Sequence, residues 1–181
     1  MGFLATGHNL ENTLAVLILL ARLGDIGSTY VATPTLAMEG NPLMRFGGWW
    51  LAGITVFACL IPYFSAPLGL TMLVLSLLVT GSNLSKGWLM RALGEQAYQE
   101  VLHEAALRSS LPVALAFALG SAAAVGIAGA ILLFVSGGPD TWGYWAASGV
   151  AIYALAMAIY GSLSVLRMYR RSRPGPDPAV G

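Results

Sequence analysis

LPVALAFALGSAAAVGIAGAILLFV, residues 111–135, contains no charged side chain. A bilayer core about 30 Å thick is crossed by roughly 20 mostly apolar residues in a helix. In lipid every backbone polar group has to be satisfied within the structure, which rules out open sheet. The stretch is therefore predicted to be a membrane-spanning helix. Four further runs meet the same requirement: about Thr13 to Thr33, Gly48 to Phe64, Leu68 to Leu84 and Trp142 to Leu166. Only Ser65-Ala66-Pro67 separates the second from the third, so these two form a tight helical hairpin. The expected fold is all-α: a polytopic bundle of five transmembrane helices plus one amphipathic helix, in a single domain over residues 1–172.

Composition agrees. Of 181 residues, 57% are hydrophobic and 9% charged, and the mean hydropathy is +0.73. Soluble domains carry about 25% charged residues, because a water-facing surface has to be polar. A formal net charge of +1 argues against nucleic acid as a partner, since phosphate binding needs a concentrated basic patch. The single cysteine, Cys59, excludes an intramolecular disulfide and a paired-cysteine zinc site. Residues 1–11 carry no Lys or Arg, so the start of the chain lacks the positive region of a signal peptide and reads as leading into a retained first helix.

Between the third and fourth runs lies Lys86 to Ser110. Its apolar residues Leu89, Leu93, Ala97, Val101 and Ala105 recur every fourth position, predicting an amphipathic helix over about 87–108. Arg91, Glu95, Gln96, Glu100, His103 and Glu104 occupy its polar face. Surface anchors are usually rich in Lys and Arg, whereas this helix is nearly neutral, so it is expected to pack on the ends of the bundle or on a partner. From Arg173 onward, Pro174, Pro176 and Pro178 prevent a helix, and a disordered tail over 173–181 is expected.

Basic residues set the orientation. Of nine Lys and Arg, all but Arg22 fall on one side of the five spans: Arg45, Lys86, Arg91, Arg108, Arg167, Arg170, Arg171 and Arg173. The other side, with the N-terminal segment and the turns near Pro67 and Pro139, has none. Lys and Arg mark cytoplasmic loops, which predicts an N-terminus outside and a C-terminus inside a prokaryotic plasma membrane. Trp49, Trp50, Trp88, Trp142 and Trp145 stand near helix ends, where aromatic belts form. There is no convincing inverted repeat, and an odd helix count fits poorly with two-halved transporters.

Arg22 and Asp25 lie where ions are expensive, about 2.5–3.5 kcal/mol each on insertion scales. Three residues apart, they share a helix face and pair. Steps of 100° put Glu11 and Thr29 on nearly the same stripe, which should face the bundle interior. Pro34 and Pro42 then break the helix, leaving Glu39 and Asn41 in irregular chain at the boundary, and the third helix is expected to end at Thr80-Gly81-Ser82-Asn83. Arg22, Asp25, Thr29, Glu39, Asn41 and Asn83 would then converge on one ligand or ion pocket. Its oxygens suit a hard divalent cation, Mg²⁺ or Ca²⁺, held by Asp25, Glu39 and Asn83, or a polar head group. The plainer alternative has Arg22–Asp25 as a structural pair, Asn41 and Asn83 as helix ends, and Glu39 beside Arg45 in water.

The pattern Asp25-x-x-x-Thr29, Glu39-x-Asn41-Pro42-Leu43-Met44 and an apolar hairpin closing on Asn83 resembles a family of small uncharacterised prokaryotic membrane proteins, with a D-x-x-x-T helix, an E-x-N-P turn and three helices. The resemblance covers about residues 12–85 and implies no activity. A single Asn-Pro lacks the second copy that a water channel needs. His8 and His103 fall on opposite sides of the membrane and cannot share a metal. No serine has a nearby base of the kind nucleophilic catalysis needs, and His103-Glu104 lacks the second histidine of a zinc-protease helix. Ala116, Gly120, Ala124 and Ala128, four apart, make a ridge for close helix packing, internal to the bundle or between copies. Three functions stay open: a non-catalytic accessory or scaffolding subunit, a metal-dependent enzyme on a lipid-borne substrate, and a small transporter or ion-conducting oligomer.

Overall fold

The computed structural model describes residues 9–36 and 42–172, so Glu39, Asn41, His8 and the expected disordered tail lie outside the described residues. All the regular structure among them is helical. The elements are α1 (Asn9–Ala32), α2 (Pro42–Thr55), a 3-10 turn (Val56–Leu60), α3 (Ile61–Phe64), α4 (Ala66–Leu93), α5 (Glu95–Arg108), α6 (Leu111–Val135) and α7 (Trp142–Ser172). Among the described residues five spans are long and apolar enough to cross a membrane: Asn9–Ala32, Met44–Phe64, Ala66–Leu93, Leu111–Val135 and Trp142–Arg170.

Local sequence explains the breaks near Pro62 and Ser65. Pro62 has no N–H and its ring collides with the carbonyl four residues back. The second span accordingly tightens into the 3-10 turn before α3, and the N–H of Ile61 bonds to Ala58 instead. Ser65 then caps α4, its hydroxyl accepting from the N–H of Leu68 at 3.4 Å. Gly69 lets α4 lie against Pro62, since a Cβ there would come within 2.7 Å of the proline ring.

The third span does not end at Asn83: with no breaker after Ser82, α4 runs on to Leu93, and Asn83 sits inside it. The amphipathic segment is consequently split. Leu89 and Leu93 belong to α4, Gly94 turns the chain at φ 80°, and α5 starts only at Glu95. The packed face of α5 also differs from the predicted apolar stripe. Tyr98, Leu102 and Ala106 point into the structure, while Val101 and Ala105 are exposed.

The spans do not pack in chain order. The second span leans on α1, α1 packs on α4, α4 on α7, and α7 on α6, so the last helix sits between the third and fourth spans. Leu14, Ile18, Ala21 and Leu73 make the α1–α4 core. Without a hydrophobic drive between helices in lipid, close approach depends on small residues. Gly149 brings α7 onto the Thr71 carbonyl, and Gly129 brings α6 onto the backbone of Ala151. The buried stripe of α6 thus runs through Ala122 and Gly129. The ridge Ala116, Gly120, Ala124, Ala128 is exposed on the chain's outer surface, so it is not the internal contact.

Candidate functional site

In the second half of α1, two successive helical turns carry Arg22, Asp25 and Thr29 towards α4. Arg22 donates from Nη1 to Asp25 Oδ2 at 3.2 Å, with 12% and 17% of the two side chains exposed. From α4, the Asn83 amide donates both its hydrogens, to Asp25 Oδ1 at 2.9 Å and to Thr29 Oγ1 at 3.0 Å. Two oxygen acceptors facing one amide dictate that its NH₂ group, not its oxygen, points inward. One turn further up α4, Thr80 donates to the carbonyls of Ala21 and Ser76 at 3.2 and 2.9 Å. Nε of Arg22 is buried and meets no acceptor among the described residues.

The structure therefore brings together four of the six residues expected to converge: Arg22, Asp25, Thr29 and Asn83. Glu11, placed on the same stripe, lies near the opposite end of α1, three turns away. The arrangement is charge-compensated: one guanidinium faces one carboxylate, and an amide bridges the carboxylate to a hydroxyl. It matches the rule that ions within a membrane turn inward and pair. Among the described residues no group of three or more His, Cys, Asp or Glu is placed to hold a metal ion.

A second polar assembly lies at the end of the bundle where α1 stops. Thr33–Leu36 forms a turn closed by Leu36 N–H on the Thr33 carbonyl at 2.9 Å, with Leu36 buried in the left-handed region at φ 56°. Glu95, the first residue of α5, clamps this turn. Its carboxylate accepts from Thr35 Oγ1 at 2.6 Å and from Thr35 N–H at 3.3 Å. Slight burial raises the Glu95 pKa, but the hydrogen bonds from Thr33 and Thr35 outweigh it and hold the carboxyl below its ordinary range. Trp49 closes the turn from the second span, donating to the Pro34 carbonyl at 3.0 Å and meeting Tyr30 edge-on at 5.3 Å.

Beside this clamp opens a cleft of about 700 Å³ between the start of α2, one flank of α5 and the last turns of α7. Arg45, Glu100, Leu102, His103, Glu104 and Arg167 are among its lining residues, with Met168 beside them. Tyr169 ties the same end of α7 to the α5–α6 junction through Ser109, 2.6 Å from its hydroxyl. The sequence reading used Arg167 only to orient the chain, set Arg45 beside Glu39 as one alternative, and put His103 and the glutamates on the polar face of the amphipathic helix. The available signal was that Arg45 and Arg167 stand at the ends of antiparallel spans and so share a depth. No family model, no curated protein and no solved structure matches this chain.

Proposed function

We propose that this chain is an integral membrane protein serving as a non-catalytic accessory or scaffolding subunit, with its N-terminus outside and its C-terminus in the cytoplasm. The observation that carries the reading is the closure of the α1–α4 network. The carboxylate of Asp25 is engaged on both oxygens by nitrogen donors, from Arg22 and Asn83. Such a cluster locks two helices together and leaves Asp25 poorly disposed as a metal ligand. A cation site on Asp25, Glu39 and Asn83 would need the Asn83 amide turned over, at the expense of its bonds to Asp25 and Thr29. The D-x-x-x-T motif, in this reading, is a helix-locking device, which is also what the resemblance over residues 12–85 would share.

The ends of the helix row support a role in assembly. In its most apolar stretch only 6% of the second span is buried within the chain, and 11% of α6 and of α7, against 33% of α1. Both outer helices offer wide apolar flanks to lipid or to other membrane subunits, including a second copy through Ala116, Gly120, Ala124 and Ala128. Purification from native membranes in a mild detergent, followed by native mass measurement, tests the proposal. A defined complex larger than one chain is expected, and Ala124→Trp or Phe57→Ser on an outer flank should dissolve it. A single chain recovered at every detergent concentration would refute it.

A further inference from the structure

We propose that the cleft between α2, α5 and α7 binds a phospho-amine head group, that is, a phosphate and a primary ammonium carried by one ligand. This inference is independent of the assembly role.

Depth comes first. Trp142 to Arg167 along α7 measures about 37 Å at 1.5 Å per residue, more than the roughly 30 Å of a hydrocarbon core. Arg167 therefore clears the apolar layer and reaches the level of lipid phosphates. Arg45 precedes the kink at Gly48 (φ 60°) in the second span and borders the same cleft as Arg167, which puts both at this end of the bundle. Two guanidinium groups from two different spans thus border one concavity at head-group depth.

Charge and size complete the match. The lining carries Arg45 and Arg167 together with Glu100 and Glu104 from α5, so it holds charges of both signs, two cations and two anions. Guanidinium forks suit phosphate oxygens, and an ammonium brings three donors that suit carboxylates. Glu104 also contacts Arg108 at 3.3 Å, with 67% and 82% of these side chains exposed. Such a surface pair contributes little and opens easily. Leu102 and Met168 add apolar wall for a glycerol or the first methylenes of an acyl chain. A volume of about 700 Å³ lies within the range typical of small-ligand sites, about 300–1,000 Å³. A purely anionic ligand would meet the glutamates, and a quaternary ammonium would offer them no N–H.

The test uses the purified full chain in detergent and calorimetric titration with four probes: dihexanoylphosphatidylethanolamine, dihexanoylphosphatidylglycerol, dihexanoylphosphatidylcholine and glycerophosphoethanolamine. The ethanolamine lipid should bind several-fold more tightly than the glycerol and choline lipids. Arg45→Gln and Arg167→Gln should each weaken it about tenfold, as expected for loss of one charged hydrogen-bonding partner. Arg45→Lys and Arg167→Lys should restore part of that, which separates loss of the site from loss of the fold. The pair Glu100→Gln/Glu104→Gln should abolish the preference over the glycerol lipid. If glycerophosphoethanolamine competes at similar concentration, the source is a soluble phospho-amine. If only the acylated probe binds, the source is a lipid. Equal binding of all three lipids, or binding unchanged in the arginine variants, would overturn the proposal.

Discussion

Replacing Arg22 by leucine removes the guanidinium that stands 3.2 Å from Asp25 Oδ2 in a pair about seven-eighths buried. At an effective dielectric of 20 the Coulomb attraction at that separation is about 5 kcal/mol. Breaking a buried pair by removing one partner typically costs about 3–5 kcal/mol, and leaving one ion inside a span costs about 2.5–3.5 kcal/mol on insertion scales. These converge on about 3 kcal/mol for Arg22→Leu. Asp25→Leu should cost about 4 kcal/mol, because the Asn83 amide also loses an acceptor, worth about 1 kcal/mol. The double variant has neither ion left to compensate and should lose only about 1 kcal/mol, far less than additivity demands. Arg22→Lys supplies the finer test. The observed contact is single, through Nη1, and Nε is already without an acceptor among the described residues. A lysine keeping the charge should therefore cost less than about 1 kcal/mol, despite lacking the fork. Equilibrium unfolding in mixed micelles of dodecylmaltoside and SDS, followed by far-ultraviolet circular dichroism, measures all four proteins. Additive losses, or Arg22→Lys as damaging as Arg22→Leu, would refute the idea that the pair is a coupled lock between α1 and α4.

Glycine substitutions separate packed from lipid-facing surfaces. Gly149→Ala places a Cβ 2.8 Å from the Thr71 carbonyl and 2.9 Å from Val74, and should cost about 1–3 kcal/mol, whereas Gly120→Ala meets nothing within 4 Å and should stay within about 0.5 kcal/mol; thermal melts in one detergent compare them. The Glu95 clamp carries a pH signature. Its carboxyl is held below the ordinary value of 4.5, so its contribution is complete above that value and is lost as pH falls through the lowered one. Amide exchange at Thr35 and Leu36 should accelerate in that acid window for the native chain, and exchange in Glu95→Ala should already be fast at neutral pH. For sidedness, single cysteines at 66, 97 and 139 in a Cys59→Ser background should react with a membrane-impermeant thiol reagent on intact cells at 66 and 139 but not at 97; the reverse pattern would invert the proposed orientation.

Much of this was readable from the chain, and for an identifiable reason. Lipid leaves a backbone no option but the helix, so uncharged runs such as 111–135 and 142–166 declare spans by length alone. The i, i+3 spacing of Arg22 and Asp25 places them on one face in any helix, and Thr29 follows one turn later, so three members of the polar cluster were visible as a stripe. Basic residues collected at one end of the spans for the same local reason, and the structure ties those segments together through Thr35–Glu95 and Ser109–Tyr169.

Tertiary structure alone decided the rest. Asn83 meets Asp25 because of the register of α4 against α1, a relation between residues 58 apart that no local pattern encodes. Its position inside a helix also escaped local reading, since Gly81-Ser82-Asn83 resembles a helix end until α4 is seen to continue to Leu93. The cleft exists because α5 folds back beside α7 after Gly94, bringing Glu100 and Glu104 into one lining with Arg45 and Arg167. On α6, Ala122 and Gly129 face α7 while the equally small Ala116, Gly120, Ala124 and Ala128 face outward. Both stripes are apolar, and lipid tails are as apolar as any helix neighbour, so polarity does not distinguish a packed face from a lipid-facing one. In a membrane the sequence specifies which segments cross. Close steric fit at Gly149 and Gly129, and a few hydrogen bonds such as those of Asn83, decide which helices become neighbours.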